Sequence, residues 1–127
     1  MDTKDRIEKF MLDMNLSFEE IDENTWMIED ELANIDNIVV KLLEPIVLFR
    51  VKIMPVPKEN REEFYKKLLE LNATDLVHGA YAIEGDSVII VDTLQAENLD
   101  MNEFQSTIES IGLALIQHYE LLVKYFN

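Results

Sequence analysis

Two apolar runs separated by a single dipeptide constrain this chain more than any other feature. Ile38-Val39-Val40-Lys41-Leu42-Leu43 and Ile46-Val47-Leu48-Phe49-Arg50-Val51-Lys52-Ile53-Met54 are rich in β-branched and apolar residues, with only Glu44-Pro45 between them, and both read as strands. In the second run the two-residue repeat puts Val47, Phe49, Val51 and Ile53 on one face and Leu48, Arg50 and Lys52 on the other. The first face belongs to a core. The second meets water or a partner, which makes Leu48 a candidate contact. Pro55-Val56-Pro57 ends the run, since proline cannot donate to a ladder, and Pro57 is suited to the start of a helix.

Helical periodicity flanks these strands. Ile7, Phe10, Met11 and Met14 recur at spacings of three and four, so an amphipathic helix is expected from Thr3 to Met14, capped by Asp2 or Thr3. Phe18 and Ile21 among acids, then Asp22-Glu23-Asn24, then Thr25-Trp26-Met27-Ile28 suggest a hairpin of two short strands. Asp30 to Asn37 reads as a polar connection in which Leu32 and Ile35 tuck inward. Phe64, Leu68 and Leu71, with Tyr65 and Leu69 beside them, mark a second helix running to about Ala73. Leu76 to Ile83 and Ser87 to Thr93 form another hairpin, with Glu84-Gly85-Asp86 supplying the positive backbone angles of a tight turn.

Asp100 followed by Glu103 has capping-box spacing, with aspartate in place of serine or threonine, and should open the last helix. Met101, Phe104, Ile108, Ile111, Leu115, Tyr119, Leu122 and Phe126 trace its apolar stripe, and Leu113, Ile116 and Val123 widen it beyond what a single-sided helix needs. The expected fold is α+β, an antiparallel sheet with packed helices in the order α-β-β-β-β-α-β-β-α, as a single domain over residues 1–127.

Charge narrows the partners. The 127 residues carry 26 acidic and 11 basic side chains, a formal charge of -15, and such a field repels phosphate backbones and anionic lipid. Nucleic acid and membrane surfaces are therefore poor partners; the acidity serves either solubility or the attraction of basic partners. There is no cysteine, which removes disulfides, thiolate metal sites and cysteine nucleophiles. No apolar run reaches the roughly 18 residues of a membrane span, and a cytoplasmic location is expected.

Catalytic patterns do not emerge. His78 enters a strand and His118 lies on the last helix, and no HExxH, GxSxG or phosphate-loop pattern accompanies them. Structural roles are expected, His78 fixing the junction before Gly79 and His118 at the edge of a helix interface. The acidic run Glu19-Glu20-Asp22-Glu23, continued by Glu29-Asp30-Glu31, lacks the alternating ligands and turn glycine of an EF-hand loop. It reads as a solvated face or a surface for a basic partner. The six methionines either fill the core or line an adaptable groove. No cofactor and no catalytic or metal-binding residue is expected.

Two features point to contacts instead. Trp26 on its short strand either anchors a partner, if partly exposed, or belongs to the core. On the last helix Leu113, Ile116, Tyr119 and Val123 must be covered, either by a second copy in a homodimer or by the middle helix.

Several stretches resemble the YbjN family, whose fold is similar to that of the type III secretion chaperones related to CesT. They are Trp26-Met27-Ile28-Glu29, Pro55-Val56-Pro57-Lys58-Glu59-Asn60-Arg61, and the run from Leu68-Leu69-Glu70-Leu71-Asn72-Ala73 through His78-Gly79-Ala80-Tyr81-Ala82 to Val88-Ile89-Ile90-Val91. The likeness covers nearly the whole chain. It implies a helix, a hairpin unit, a helix, a two-stranded unit and a C-terminal helix, frequently as a homodimer, in a non-enzymatic, chaperone-like or regulatory protein that binds protein or extended peptide; the alternatives are an enzyme with an unrecognised acidic active site and a structural subunit of a hetero-complex. It supplies no catalytic residue.

Overall fold

A computed structural model describes residues 1–30 and 35–125. The elements are α1 (Thr3–Asp13), β1 (Ser17–Asp22), β2 (Thr25–Asp30), β3 (Ile35–Leu43), β4 (Ile46–Pro55), α2 (Arg61–Thr74), β5 (Ala80–Glu84), β6 (Ser87–Gln95) and α3 (Met101–Val123). This is the expected order. The strands form one antiparallel sheet in the order β1-β2-β3-β4-β6-β5.

The β3–β4 hairpin lies near the middle of that sheet, pairing Ile38 with Val51, Val40 with Phe49 and Leu42 with Val47. These inward residues are buried, together with Trp26 and Ile28 of β2 and Ile90 of β6. All three helices contribute to the same cluster: Ile7 and Met11 from α1, Phe64, Leu68 and Leu71 from α2, and Phe104, Ile108, Ile111 and Leu122 from α3. The fold is thus two layers, helices over one sheet face, because β2, β3, β4 and β6 each carry apolar residues at alternate positions that must be buried on that face. Phe104 joins the layers, its ring 5.4 Å from that of Phe49 and 5.7 Å from that of Phe10.

Local chemistry sets the boundaries. Asp2 Oδ1 accepts from the Asp5 N–H at 2.8 Å, and Asp100 Oδ1 accepts from the Glu103 N–H at 2.8 Å, so α1 and α3 start where short acids satisfy first-turn donors. With few glycines available, asparagine takes most of the left-handed positions: Asn15 after α1, Asn24 between β1 and β2, Asn60 before α2 and Asn98 before α3. Gly85 turns the β5–β6 hairpin at φ +58°.

Three expectations need correction. Pro57 does not open α2; that helix starts at Arg61 after Asn60, and the Pro57 carbonyl instead accepts from Arg61 Nε at 2.8 Å. β5 starts at Ala80 rather than Leu76, because Gly79 at φ +78° breaks the extended run. The connection after β2 ends early, since Ile35 already belongs to β3. Leu32, the side chain of Ile35 and Phe126 lie outside the described residues.

Candidate functional site

Polar groups converge at one end of the helix layer, where α2, β5 and α3 meet. Tyr81 on β5 is buried and meets all of them. Its backbone N–H donates to Asn72 Oδ1 at 2.7 Å, and its carbonyl accepts from Asn72 Nδ2 at 3.2 Å. One amide side chain of α2 thus stands in for a neighbouring strand along the edge of β5. The Tyr81 hydroxyl lies 2.6 Å from His118 Nδ1, and His118 Nε2 lies 3.3 Å from Asp75 Oδ2 at the C-cap of α2. A carboxylate carries no proton to give, so in the neutral ring Nε2 holds the hydrogen and Nδ1 accepts from Tyr81.

Electrostatics makes this chain a clamp. Burial, with the Asp75 charge adding to it, pushes the Tyr81 phenol well above its ordinary value. That direction keeps the hydroxyl protonated, opposite to what a phenolate nucleophile needs. The Thr74 hydroxyl and then the His118 ring hold the Asp75 carboxyl below its ordinary value. Gly79 completes the junction: a Cβ there would lie 2.9 Å from the Val91 carbonyl oxygen, so only glycine lets the chain turn into β5 this close to β6.

His118 sits inside the α3 stripe, not at its edge. The spacing Phe104, Ile108, Ile111, Leu115, His118, Leu122 was available in the sequence, but a histidine among apolar positions masks it. Tyr119, read from sequence as a stripe residue, points outward instead. His78 is half-buried.

The outer flank of α3 has the opposite character. Leu113, Ile116, Tyr119 and Val123 are 55%, 56%, 63% and 39% exposed, and spacings of three and four align them in one row. They are not buried beneath α2. That helix packs on the other flank, where Phe64 meets the Tyr125 ring edge-on at 5.1 Å and Glu63 accepts from the Tyr125 hydroxyl at 3.1 Å.

The sheet face away from the helices is mixed. Pairing register places Val39, Lys41, Leu43, Ile46, Leu48, Arg50, Lys52, Ile89, Val91, Thr93 and Gln95 outward on β3, β4 and β6. Leu48 is half-buried there, between Lys41 on β3 and Thr93 on β6. Arg50 makes an ion pair with Glu84 of β5.

Trp26 is corrected as a contact residue. It is 0% exposed, and its indole N–H donates to Glu8 Oε2 at 3.1 Å beneath α1. The acids of the β1–β2 turn are exposed; Glu20 pairs with Lys4 of α1 at 3.1 Å. Among the described residues no group of three or more His, Asp or Glu side chains is placed to hold a metal ion, and no helix is long and apolar enough to cross a membrane.

Solved structures share this fold. YbjN from E. coli is similar with a TM-score of 0.69 at 15% identity, covering 92% of this chain and 91% of that one. A chain of the heterodimeric ExoU–SpcU complex from the type III secretion system of Pseudomonas aeruginosa gives 0.70 at 16% identity, covering 94% and 96%. A structure of the Yersinia pestis type III secretion chaperone SycH, in complex with a fragment of YscM2, gives 0.65 at 12% identity, covering 90% and 98%. At such identities the likeness is one of fold. No curated protein matches in sequence. The CesT_Tir_1 family model, however, matches residues 1–127 from end to end, and the chain belongs to the CesT_Tir_1 family.

Proposed function

We propose that this protein is a chaperone-like binding module without catalytic activity, acting as a homodimer that receives a segment of another protein. The observation that carries the reading is the contrast on α3, where the inner flank has its polar side chains paired and the outer flank leaves four apolar side chains uncovered. A two-fold axis beside α3 would bring that row against its own copy and remove it from water, as an isologous interface requires. The outer sheet face, with Leu48 near its centre, would then remain open for the partner segment. Related folds support this, since the ExoU–SpcU and SycH–YscM2 structures are complexes of two proteins. The Tyr81–His118–Asp75 chain serves the fold, tying α2, β5 and α3.

The test is capture of partners from native extract on the immobilised chain, read by cross-linking and mass spectrometry. One protein retained at fixed stoichiometry, cross-linked near Leu48 and lost on Leu48→Glu, is the expected result. A folded, monodisperse chain that retains nothing, or one that turns over a substrate at the His118 cluster, would overturn the reading.

A further inference from the structure

The centre of the outer sheet face runs against the charge of the chain. The formal charge is -15, yet among the described residues the outward positions of the central strands β3, β4 and β6 carry Lys41, Arg50 and Lys52 and no acid, the acids of this face lying on its flanking strands as Glu19 of β1, Glu29 of β2 and Glu84 of β5. Each of the first two cations stands beside an apolar residue of the paired strand: Lys41 across from Leu48, and Arg50 across from Val39. Glu84, reaching in from β5 at the sheet edge, is the carboxylate that meets Arg50. Both side chains of this pair are partly exposed, and such pairs contribute little to stability, so an incoming carboxylate can take the place of Glu84 at small cost.

From this juxtaposition we infer that the outer face selects an acidic amphipathic segment of a partner protein, its apolar side chains on Val39 and Leu48 and its carboxylates on Lys41, Arg50 and Lys52. The inference rests on the reading of this face as the docking surface and names the chemistry of what docks there. At physiological salt the Debye length is about 8 Å. The net negative charge is therefore screened beyond the first shell, and the cations in contact decide the sign of the preference. A basic segment would place like charges against the centre of the face, which suppresses binding.

Three labelled peptides of one apolar pattern, with Glu, Gln or Lys at the polar positions, separate the possibilities when titrated against the full chain by fluorescence anisotropy at physiological salt. The Glu peptide should bind at least about tenfold more tightly than the Lys peptide, a typical effect of contact charges. Lys41→Glu/Lys52→Glu should reverse that order, and Glu84→Gln should tighten the Glu peptide by freeing Arg50. Circular dichroism confirms that the variants fold. A Glu peptide no tighter than the Gln peptide, or one indifferent to Lys41→Glu/Lys52→Glu, overturns the inference. If the Gln peptide binds and Leu48→Glu abolishes it, the docking surface stands and only the acidic preference falls. If none of the three binds, the docking surface falls with it. An oligothymidine that outcompetes the Glu peptide would make the face a phosphate site, and a mass that drops to one chain in Lys41→Glu/Lys52→Glu would assign it to a second copy; either result overturns the inference.

Discussion

The two flanks of α3 are built from one continuous helix, yet they differ in almost every physical respect. Toward α2 and β5, His118 has both ring nitrogens engaged, Tyr81 has its backbone and hydroxyl engaged, and Phe64 closes over Tyr125. On the far flank Leu113, Ile116, Tyr119 and Val123 face solvent. Removing His118 on the first flank leaves the buried Tyr81 hydroxyl without its partner, and removing Phe64 leaves a cavity. Groups on the second can be exchanged freely unless something docks there. Stability and recognition are therefore separable on this helix.

Breaking the fixed flank should produce the largest effect. His118→Ala strips partners from the Tyr81 hydroxyl and Asp75 and leaves a cavity, and should destabilise the chain by about 3 kcal/mol in urea unfolding. Asn72→Ala should cost about 1–2 kcal/mol. It should also raise amide hydrogen exchange at Tyr81, whose N–H loses its acceptor; unchanged exchange there would show that the β5 edge is held by something else.

Alkaline titration sharpens the comparison further. The Tyr81 phenol lies higher in the folded than in the unfolded chain, so its contribution is complete below an unfolded value of about 10 and fades as pH rises above it. The urea midpoint should thus fall more between about pH 9 and 11 in the wild type than in Tyr81→Phe. Parallel curves would remove Tyr81 from the cause. The smallest effect on stability belongs to the open flank: Leu113→Glu/Ile116→Glu should abolish self-association and, compared at concentrations low enough that the wild type is dissociated, shift unfolding by less than about 0.5 kcal/mol.

Much of this architecture is legible in the residues. The apolar alternation of β3 and β4 needs one face covered, and the Asp100 to Glu103 spacing marks the start of α3, because both report local rules that packing does not override. The exposed row on α3 is legible too, as apolar residues beyond what one buried stripe can use. What escapes is non-local. The start of β5 hides because Leu76 and Val77 are apolar while the decisive residue, Gly79, is set by its approach to Val91 across the sheet. The buried place of His118 depends on Tyr81 and Asp75, which lie 37 and 43 residues away. Trp26 could serve core or surface until α1 is known to supply Glu8 above it.

Light scattering on the purified chain bears most directly on whether the outer row of α3 is a contact surface. The wild type should show twice the mass of one chain, and Leu113→Glu/Ile116→Glu should show the mass of one at the same concentration while its circular dichroism stays that of a folded chain. A wild type that stays a single chain, or a variant that keeps the doubled mass, would contradict it.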